Sequence, residues 1–393
     1  MTKLAGRMDG VSGSAIRELF KLSSDPGIIA FGGGNPARES FPIQTIQNIL
    51  DKALKENGAS LLQYGITEGY IPLRKAVIEH LLEPKGLSAG LENVLIVSGS
   101  MQSLDLITKI YVDPGDTILV ESPTFLGALQ AFRSYQGNLV PVPMDEDGVI
   151  ISELERLMKE LHPKLFYCIP TFQNPTGRTL KAERREKIAQ LAEKYDCMVI
   201  EDDPYGELRY EGEVQPPIKS FDKSDHVILL LSFSKIIAPG IRVGALIGPS
   251  DIVRKLTISK QSADTHTSNV TQVIAAEFLA QGLLPGHIKS IIPIYSVRLQ
   301  AMLNAIEKYF PKTCRYTVPE GGLFVWGEME KGVKMLPIFE RAVKEEKVAF
   351  VPGEHFFTDC SMGENTFRLN FSSETPERIE EGIKRLGKIL KEA

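Results

Sequence analysis

The chain has few cysteines and histidines, and these are scattered. Its 393 residues include four cysteines and six histidines, with no CxxC, HxH or HxxxH pair. Zinc sites in proteins usually draw on such closely spaced ligands. We therefore expect no metal site, and free thiols rather than disulfides.

Long apolar runs and clusters of positive charge are also missing. No stretch reaches the roughly 18 apolar residues of a membrane helix, and the start of the chain lacks the apolar segment of a signal peptide. The net charge is −5, with no long basic run, which gives no indication of nucleic acid or an anionic membrane as a partner. With 43% hydrophobic and 24% charged residues, the composition is that of a globular protein. We expect a cytoplasmic location.

Short apolar runs alternate with helical patterns between residues 91 and 250. Continuous apolar runs separated by amphipathic helices are typical of a mostly parallel sheet with helices on both faces. The seven runs predicted as strands are Val94–Val97, Thr117–Val120, Asn138–Val142, Leu165–Ile169, Met198–Glu201, Val227–Leu231 and Val243–Ile247.

A second unit follows near the C-terminus. A helix is predicted over Ile291–Tyr309, followed by strand patterns in TVPEGGLFVWGEM, VAFVPG and TFRLNFSS and by a final helix over Thr375–Glu392. The predicted fold is α/β: a large domain with a mostly parallel seven-stranded sheet sandwiched by helices, a smaller α+β domain and an N-terminal arm. We place the arm at residues 1–40, the large domain at 41–285 and the small domain at 286–393.

Chemically distinctive residues follow the predicted strands. In parallel α/β sheets, ligands bind at the carboxyl ends of the strands. Five strand ends carry, in chain order, a helix start suited to an anion, an aromatic, an amide, a carboxylate and a lysine. Each could be ordinary turn chemistry, but together they indicate a binding site: Ser98–Gln102, Phe125, Asn174, Asp202 with Asp203 and Tyr205, and Lys235.

Lys235 lies just past the apolar run VILLL and two serines. Burial disfavours an ammonium ion and lowers its pKa, and a neutral amine is a nucleophile toward carbonyls, as in Schiff-base lysines. The alternative is an exposed lysine beyond a strand end, as most lysines are.

Two further motifs have other interpretations. GGGNPA, beginning at Gly32, formally fits a dinucleotide-binding GxGxxA after a strand, but no crossover helix and second strand follow promptly. SFSK at Ser232 fits the SxxK motif of penicillin-recognising enzymes, but the chain has no SDN or KTG.

Four motifs in order resemble those of fold type I pyridoxal-phosphate (PLP) aminotransferases of the class I/II family: NPTG at Asn174, DDPY at Asp202, SFSK with Arg242, and FRLNF around Arg368. The resemblance spans nearly the whole chain. It implies PLP bound covalently to Lys235. It also implies ping-pong transfer of an amino group between an L-amino acid (2-aminoadipate, aromatic, branched or glutamate-like) and a 2-oxo acid such as 2-oxoglutarate.

The resemblance also implies roles for individual residues. Lys235 would form the Schiff base and move protons, Asp202 would pair with the pyridine nitrogen, and Tyr205 and Asn174 would bind the phenolic oxygen. Asp203 competes with Asp202, but the family spacing to the tyrosine favours Asp202. Phe125 would stack on the ring. The set expected at the cofactor phosphate and its helix start is Ser100, Met101, Gln102, Ser232, Ser234 and Arg242.

The remaining implied residues concern the substrate and a partner subunit. Arg368 would bind the substrate α-carboxylate together with Asn174, and Gly33 and Gly34 would let the backbone approach it. Tyr64 resembles the tyrosine that reaches the phosphate of the partner subunit, which implies a homodimer.

The N-terminal arm gives a finer resemblance. GSAIRELF followed by IAFGGGNP is similar to the 2-aminoadipate and kynurenine aminotransferase subgroup, in which a mobile N-terminal helix closes over the substrate. Arg17 matches an arginine used there toward acidic side chains. The segment NPARESFP departs from the relatives, which have a leucine before the proline. This difference weakens any inference about which substrate side chain is preferred.

Two alternatives stay open within this family. One is a PLP-dependent carbon–sulfur β-lyase or a similar carbanion enzyme on the same fold, because the cofactor-binding residues are common to both. The other is a cofactor-sensing regulatory domain, which we disfavour because the segment before the family core, some 30 residues, is too short for a DNA-binding domain.

Overall fold

The computed structural model describes residues 5–8 and 27–393. The strands that it contains are β1 Ile29–Ala30, β2 Val94–Val97, β3 Thr117–Ser122, β4 Asn138–Asp145, β5 Gly148–Val149, β6 Leu165–Cys168, β7 Met198–Asp203, β8 Val227–Ser232, β9 Gly244–Ile247, β10 Arg315–Tyr316, β11 Phe324–Glu328, β12 Val348–Ala349, β13 Val351–Pro352 and β14 Thr366–Asn370.

The α-helices of the same residues are α1 Ile43–Leu61, α2 Ile71–Val77, α3 Ser100–Tyr111, α4 Leu126–Arg133, α5 Ile151–Leu161, α6 Ala182–Tyr195, α7 Ser250–Gln261, α8 Asn269–Ala280, α9 Leu283–Tyr309, α10 Met335–Arg341 and α11 Pro376–Leu390. None of these is long and apolar enough to cross a membrane.

The large sheet has the strand order β2-β9-β8-β7-β6-β3-β4-β5. All seven predicted strands are present, and the eighth is the two-residue β5, which pairs antiparallel with β4. β4, β3, β6, β7 and β8 are parallel, whereas β9 runs antiparallel to both β8 and β2. The carboxyl ends of β2, β3, β6, β7 and β8 therefore lie at one edge, which confirms the mostly parallel α/β sheet.

The apolar runs lack polar alternation because both faces of the sheet are covered. Every residue of β2, β6 and β9 is buried. Helices such as α3 and α6 present their own buried residues to the sheet. This double cover leaves the strand ends as the place where polar side chains of the sheet can meet a ligand.

The C-terminal elements form a four-stranded antiparallel sheet with the order β10-β11-β14-β13. The prediction that its long helix begins at Ile291 is wrong by eight residues, because α9 starts at Leu283 and continues through Pro293. The predicted boundary between residues 285 and 286 therefore falls inside α9. The domain limits stay predictions.

Residues 27–40, part of the predicted arm, pack against the C-terminal elements. β1 pairs in parallel with β12, the Phe31 amide donates to the Ala349 carbonyl at 2.7 Å, and the Asn370 amide donates to the Phe31 carbonyl at 2.8 Å. The glycines after β1 are thereby held beside β14. β1 does not enter the large sheet, so a dinucleotide-binding βαβ unit is not formed. Arg17 and the predicted mobile helix lie outside the described residues.

Candidate active site

A cavity of about 250 Å³ lies at the carboxyl edge of the large sheet and extends to β11 and β14. Twelve of the residues predicted for the site line it: Gly34, Ser100, Met101, Phe125, Asn174, Asp202, Tyr205, Ser232, Ser234, Lys235, Arg242 and Arg368. Most of them follow separate strands of the large sheet, whose parallel arrangement brings them together, whereas Gly34 follows β1 and Arg368 lies on β14.

Lys235 follows β8, and its amine faces this cavity. Its Nζ donates a hydrogen bond to the Gly34 carbonyl at 2.6 Å. Burial, together with the positive charges of Arg368 and Arg242, lowers the pKa of Lys235 to about 8. About a tenth of this amine is therefore neutral at pH of about 7, far more than of an exposed lysine with its ordinary pKa of about 10.4.

Asp202 is the last-but-one residue of β7 and is almost fully buried, with 3% of its surface exposed. Its Oδ2 accepts a hydrogen bond from the Tyr167 hydroxyl at 2.9 Å, whereas no described residue hydrogen-bonds Oδ1. Burial raises the pKa of Asp202 to about 7. The carboxylate thus presents one unpaired oxygen to a site that would suit a cation.

Asp203, the competing candidate, does not line the cavity. Its Oδ2 lies 3.5 Å from the Lys85 ammonium, and its Oδ1 accepts from the Gly206 amide at 2.8 Å. Successive residues of a strand point to opposite faces. Asp203 therefore points away from the cavity and forms an ion pair with Lys85.

Arg368 lies on β14 with only 3% of its surface exposed. Its guanidinium donates to Asn174 Oδ1 at 2.8 Å and to the carbonyl oxygens of Gly32 and Gly33 at 2.8 and 3.3 Å. It also stacks on the Phe324 ring, with Cζ 4.2 Å from the centroid. Burial lowers the pKa of Arg368 to about 10. Its Nε has no partner among the described residues, so the arginine retains capacity for an anion.

Tyr205 and Asn174 form a pair beside this arginine. Asn174 Nδ2 donates to the Tyr205 hydroxyl at 3.4 Å, and both residues are buried. The Tyr205 ring meets Phe324 edge-on, with 5.7 Å between centroids. Burial raises the pKa of Tyr205, so its hydroxyl remains a hydrogen-bond donor.

The helix start after β2 has the features of an anion site. Ser100 opens α3, and its Oγ is buried without a partner in the described part of the chain. Gly99 has φ +87°, and a Cβ there would lie 2.5 Å from Arg242 Nη2. The backbone N–H groups of a helix start and an adjacent guanidinium favour a phosphate. Arg242 also donates to the Ser98 carbonyl at 3.1 Å.

Gln102 does not line the cavity, although it was predicted with the cofactor residues. Its Oε1 accepts from the Ser98 amide at 2.8 Å, and its Nε2 donates to Asp264 at 2.8 Å. The buried Lys260 ammonium bonds both Gln102, at 3.2 Å, and Asp264, at 2.6 Å. Gln102 thus stabilises the turn before α3 through these hydrogen bonds and does not face the cavity.

Two other predicted residues, Tyr64 and Gly33, stand apart from the cavity. Tyr64 is 82% exposed and meets only the edge of His266, with 5.9 Å between centroids, among the described rings. Gly33 contributes its carbonyl to Arg368 but no cavity surface. Arg17 lies outside the described residues.

Sequence reasoning missed some residues of the site. Phe324, Gly32 and Asn35 line the cavity, and Tyr167 supports Asp202. The tyrosine carried a usable signal, because a hydroxyl inside the apolar run LFYCI needs a buried partner.

The unpaired polar atoms show that the cavity fits PLP. Ser100 Oγ, Asp202 Oδ1 and Arg368 Nε are all buried, all belong to cavity-lining residues, and none has a described hydrogen-bond partner. Buried polar groups without partners are uncommon in proteins. A ligand with a phosphate, a protonated ring nitrogen and an attached carboxylate would supply the missing partners.

Comparison with known proteins gives the same assignment. The family model for aminotransferase class I and II matches residues 26–386. An aromatic-amino-acid aminotransferase of Thermococcus litoralis is 44% identical, over 98% of this chain and 93% of the relative.

Two solved structures are also similar to this chain. The kynurenine aminotransferase of Pyrococcus horikoshii, in complex with PMP, has a TM-score of 0.95 and 41% identity, covering 99% of this chain and 97% of the other. The α-aminoadipate aminotransferase LysN of Thermus thermophilus, complexed with N-(5'-phosphopyridoxyl)-L-leucine, has a TM-score of 0.91 and 38% identity, with the same coverage.

These relatives are aminotransferases, so neither the β-lyase nor the regulatory alternative is favoured. The chain belongs to the class I and II aminotransferase family, and it is a fold type I transaminase that uses PLP to transfer amino groups.

Proposed function

We propose that this enzyme transfers the amino group of an aromatic or 2-aminoadipate-like L-amino acid to a 2-oxo acid such as 2-oxoglutarate. One observation carries the proposal: the buried guanidinium of Arg368 shares a cavity with the Lys235 amine and is held by neutral oxygens. A cation without a countercharge in a buried site suits a carboxylate ligand. The names of the relatives support aromatic and 2-aminoadipate donors. Branched and glutamate-like donors are included in the proposed range.

The chain's own residues divide the chemistry among them. When bound, PLP supplies an electron sink that stabilises negative charge at Cα of the amino acid. Lys235 would hold the cofactor through its Nζ and, once released, that amine would accept and return the proton of the amino acid. Asp202 keeps the ring nitrogen protonated. Tyr205 and Asn174 donate to the phenolic oxygen.

Other residues bind and orient the ligands. The phosphate is held by Ser100, the Met101 amide, Ser232, Ser234 and Arg242. Phe125 stacks on the ring. Arg368, fixed by Asn174 and the carbonyl oxygens of Gly32 and Gly33, holds the substrate carboxylate in a bidentate geometry that lysine cannot reproduce. The apolar surfaces of Met101, Phe125 and Phe324 leave room for an aromatic or aliphatic side chain.

We also propose a homodimer in which Tyr64 reaches the phosphate of the partner subunit. The support is the exposure of Tyr64 together with that of Leu62 and Ile66, which are 75% and 49% exposed. Neighbouring exposed apolar residues often mark an interface between subunits.

Arg17 is proposed to bind acidic substrate side chains. The cytoplasmic location stays a prediction.

A panel of L-amino acids assayed against 2-oxoglutarate tests the proposed activity. We expect glutamate as a product with aromatic and 2-aminoadipate donors, and parallel double-reciprocal plots, which indicate ping-pong kinetics. Lys235→Ala serves as the negative control. Release of pyruvate and ammonia from a cysteine conjugate without any acceptor, and no glutamate from any donor, would instead support the β-lyase.

A further inference from the structure

Tyr167 lies under the floor of the cavity and contacts none of the space that a ligand would occupy. It is fully buried on β6, beside β7, and meets Phe132 edge-on with 5.6 Å between ring centroids. Its hydroxyl donates to Asp202 Oδ2 at 2.9 Å. Among the hydrogen bonds of the described residues, this is the only one made to the Asp202 side chain.

The two oxygens of Asp202 therefore differ. Oδ2 is occupied by the Tyr167 hydroxyl, whereas Oδ1 is buried without a described partner in a residue that lines the cavity. A single hydrogen bond fixes the rotation of the carboxyl group and leaves one oxygen free to face the cavity.

We infer that Tyr167 is a positioning residue that keeps Asp202 ionised and directs its free oxygen toward the ring nitrogen of the cofactor. The inference rests on the proposed role of Asp202. Tyr167 does not touch the cofactor or the substrate, so it acts through the aspartate.

The groups around Asp202 shift its pKa in opposite directions, and Tyr167 is among those that lower it. Burial raises the pKa of Asp202, the hydrogen bond from Tyr167 lowers it, and the neighbouring Asp203 raises it. Asp202 is itself among the causes that raise the pKa of Glu121 and of Tyr205. The charged and titratable groups near the site also include Lys235, Arg242 and Arg368. Among residues 5–8 and 27–393, Tyr167 is the one neutral donor that stabilises the ionised form of Asp202.

The test measures the affinity of the full-length apoenzyme for pyridoxamine phosphate, which cannot condense with Lys235. Tyr167→Phe removes the hydroxyl and retains the ring packing. A hydrogen bond to a charged group is strong enough to shift the ionisation of Asp202 by about tenfold. We expect the Kd ratio of variant to wild type to be about 10 at pH of about 6.5 and to fall well below that at pH of about 9, where Asp202 is ionised in both and only the lost orientation of its free oxygen weakens binding.

A matched control and a second variant keep the test specific. Tyr111→Phe removes another buried hydroxyl, one without a described partner, and should give a ratio near 1 at both pH values. Incorporation of 3-fluorotyrosine at position 167 makes the phenol a stronger donor, so its ratio at low pH should fall below 1. A Kd ratio for Tyr167→Phe that is the same at both pH values would overturn the inference.

Asp202→Asn distinguishes this inference from the function on which it rests. If Asp202→Asn leaves the affinity and its pH dependence unchanged, the proposed role of Asp202 is wrong. If Asp202→Asn weakens binding and removes the pH dependence while Tyr167→Phe gives a flat ratio, only the role of Tyr167 is wrong.

Discussion

Arg368 and Asn174 are joined by a hydrogen bond of 2.8 Å, from the guanidinium Nη1 to the amide Oδ1. The same amide donates through Nδ2 to the Tyr205 hydroxyl at 3.4 Å. One asparagine thus connects the arginine proposed for the substrate carboxylate to the tyrosine proposed for the cofactor oxygen. Movement of the arginine would therefore disturb both sides of the cavity.

Replacement of this arginine by lysine should impair substrate binding severely. Arg368→Lys keeps the charge but loses the planar geometry that binds a carboxylate through two hydrogen bonds. Each hydrogen bond to a charged group contributes about 1.5–3 kcal/mol, so loss of one or two should lower kcat/KM by about 100-fold. The rise in KM should be larger than the change in PLP affinity.

The control for this variant is Arg156→Lys. Arg156 is exposed, and its ion pairs with Glu153 and Glu160 lie on the surface of α5, where such pairs contribute little. Steady-state kinetics of the two variants, with the same amino donor, provides the comparison. Equal kcat/KM values for Arg368→Lys and Arg156→Lys would remove Arg368 from substrate binding.

The depressed pKa of Lys235 predicts how fast apoenzyme takes up PLP. The reactive form is the neutral amine, and with a pKa of about 8 its fraction rises about tenfold between pH of about 6 and about 7. The pseudo-first-order rate constant, followed by visible absorbance, should increase in that proportion and level off above pH of about 8. A rate still rising tenfold per pH unit at pH of about 9 would mean an ordinary lysine pKa.

Gly99→Ala should weaken phosphate binding. The added Cβ would lie 2.5 Å from Arg242 Nη2, at a backbone φ of +87° that L-residues rarely adopt. Either the turn or the arginine has to shift, so we expect the affinity for PLP to fall about tenfold or more and the protein to lose roughly 1–3 kcal/mol of stability.

Gly286→Ala is the matched control for this substitution. It lies in α9 with nothing within 4 Å of its added Cβ, and it should stabilise the protein by up to about 1 kcal/mol. Denaturant titration and PLP titration of both variants make the comparison. Unaltered PLP affinity in Gly99→Ala would contradict the proposed phosphate site.

Gln102→Ala tests whether this residue supports the turn or binds the cofactor. Its removal leaves the buried Lys260 and Asp264 without their shared partner, which should cost about 1–3 kcal/mol of stability. Because the side chain does not line the cavity, KM for the amino donor should stay within about twofold. A large rise in KM with full stability would show a direct ligand contact instead.

The sheet and most strand-end residues were predictable from the sequence because the signals are local. Continuous apolar runs such as Leu165–Cys168 are buried on both faces, and the topology then places their ends at one edge. The same continuity does not tell which face of the sheet Tyr167 occupies, although its hydroxyl indicates a buried partner, since a strand buried on both faces shows no alternation.

Other features depend on contacts distant in sequence. Gln102 lies in the first turn of α3, in a suitable position for a ligand, but Lys260 and Asp264, more than 150 residues later, hydrogen-bond its side chain away from the cavity. The prediction missed the start of α9, where Pro285 lies in the first turn, a position that tolerates proline, and where packing against α11 stabilises the long helix.

Location of the covalent link tests the central claim most directly. Borohydride reduction of the holoenzyme, followed by peptide mass spectrometry, should place the phosphopyridoxyl group on the peptide that contains Lys235, and Lys235→Ala should carry no such group. Label on Lys260, Lys85 or any other lysine of the wild-type protein, or label retained in Lys235→Ala, would contradict the account.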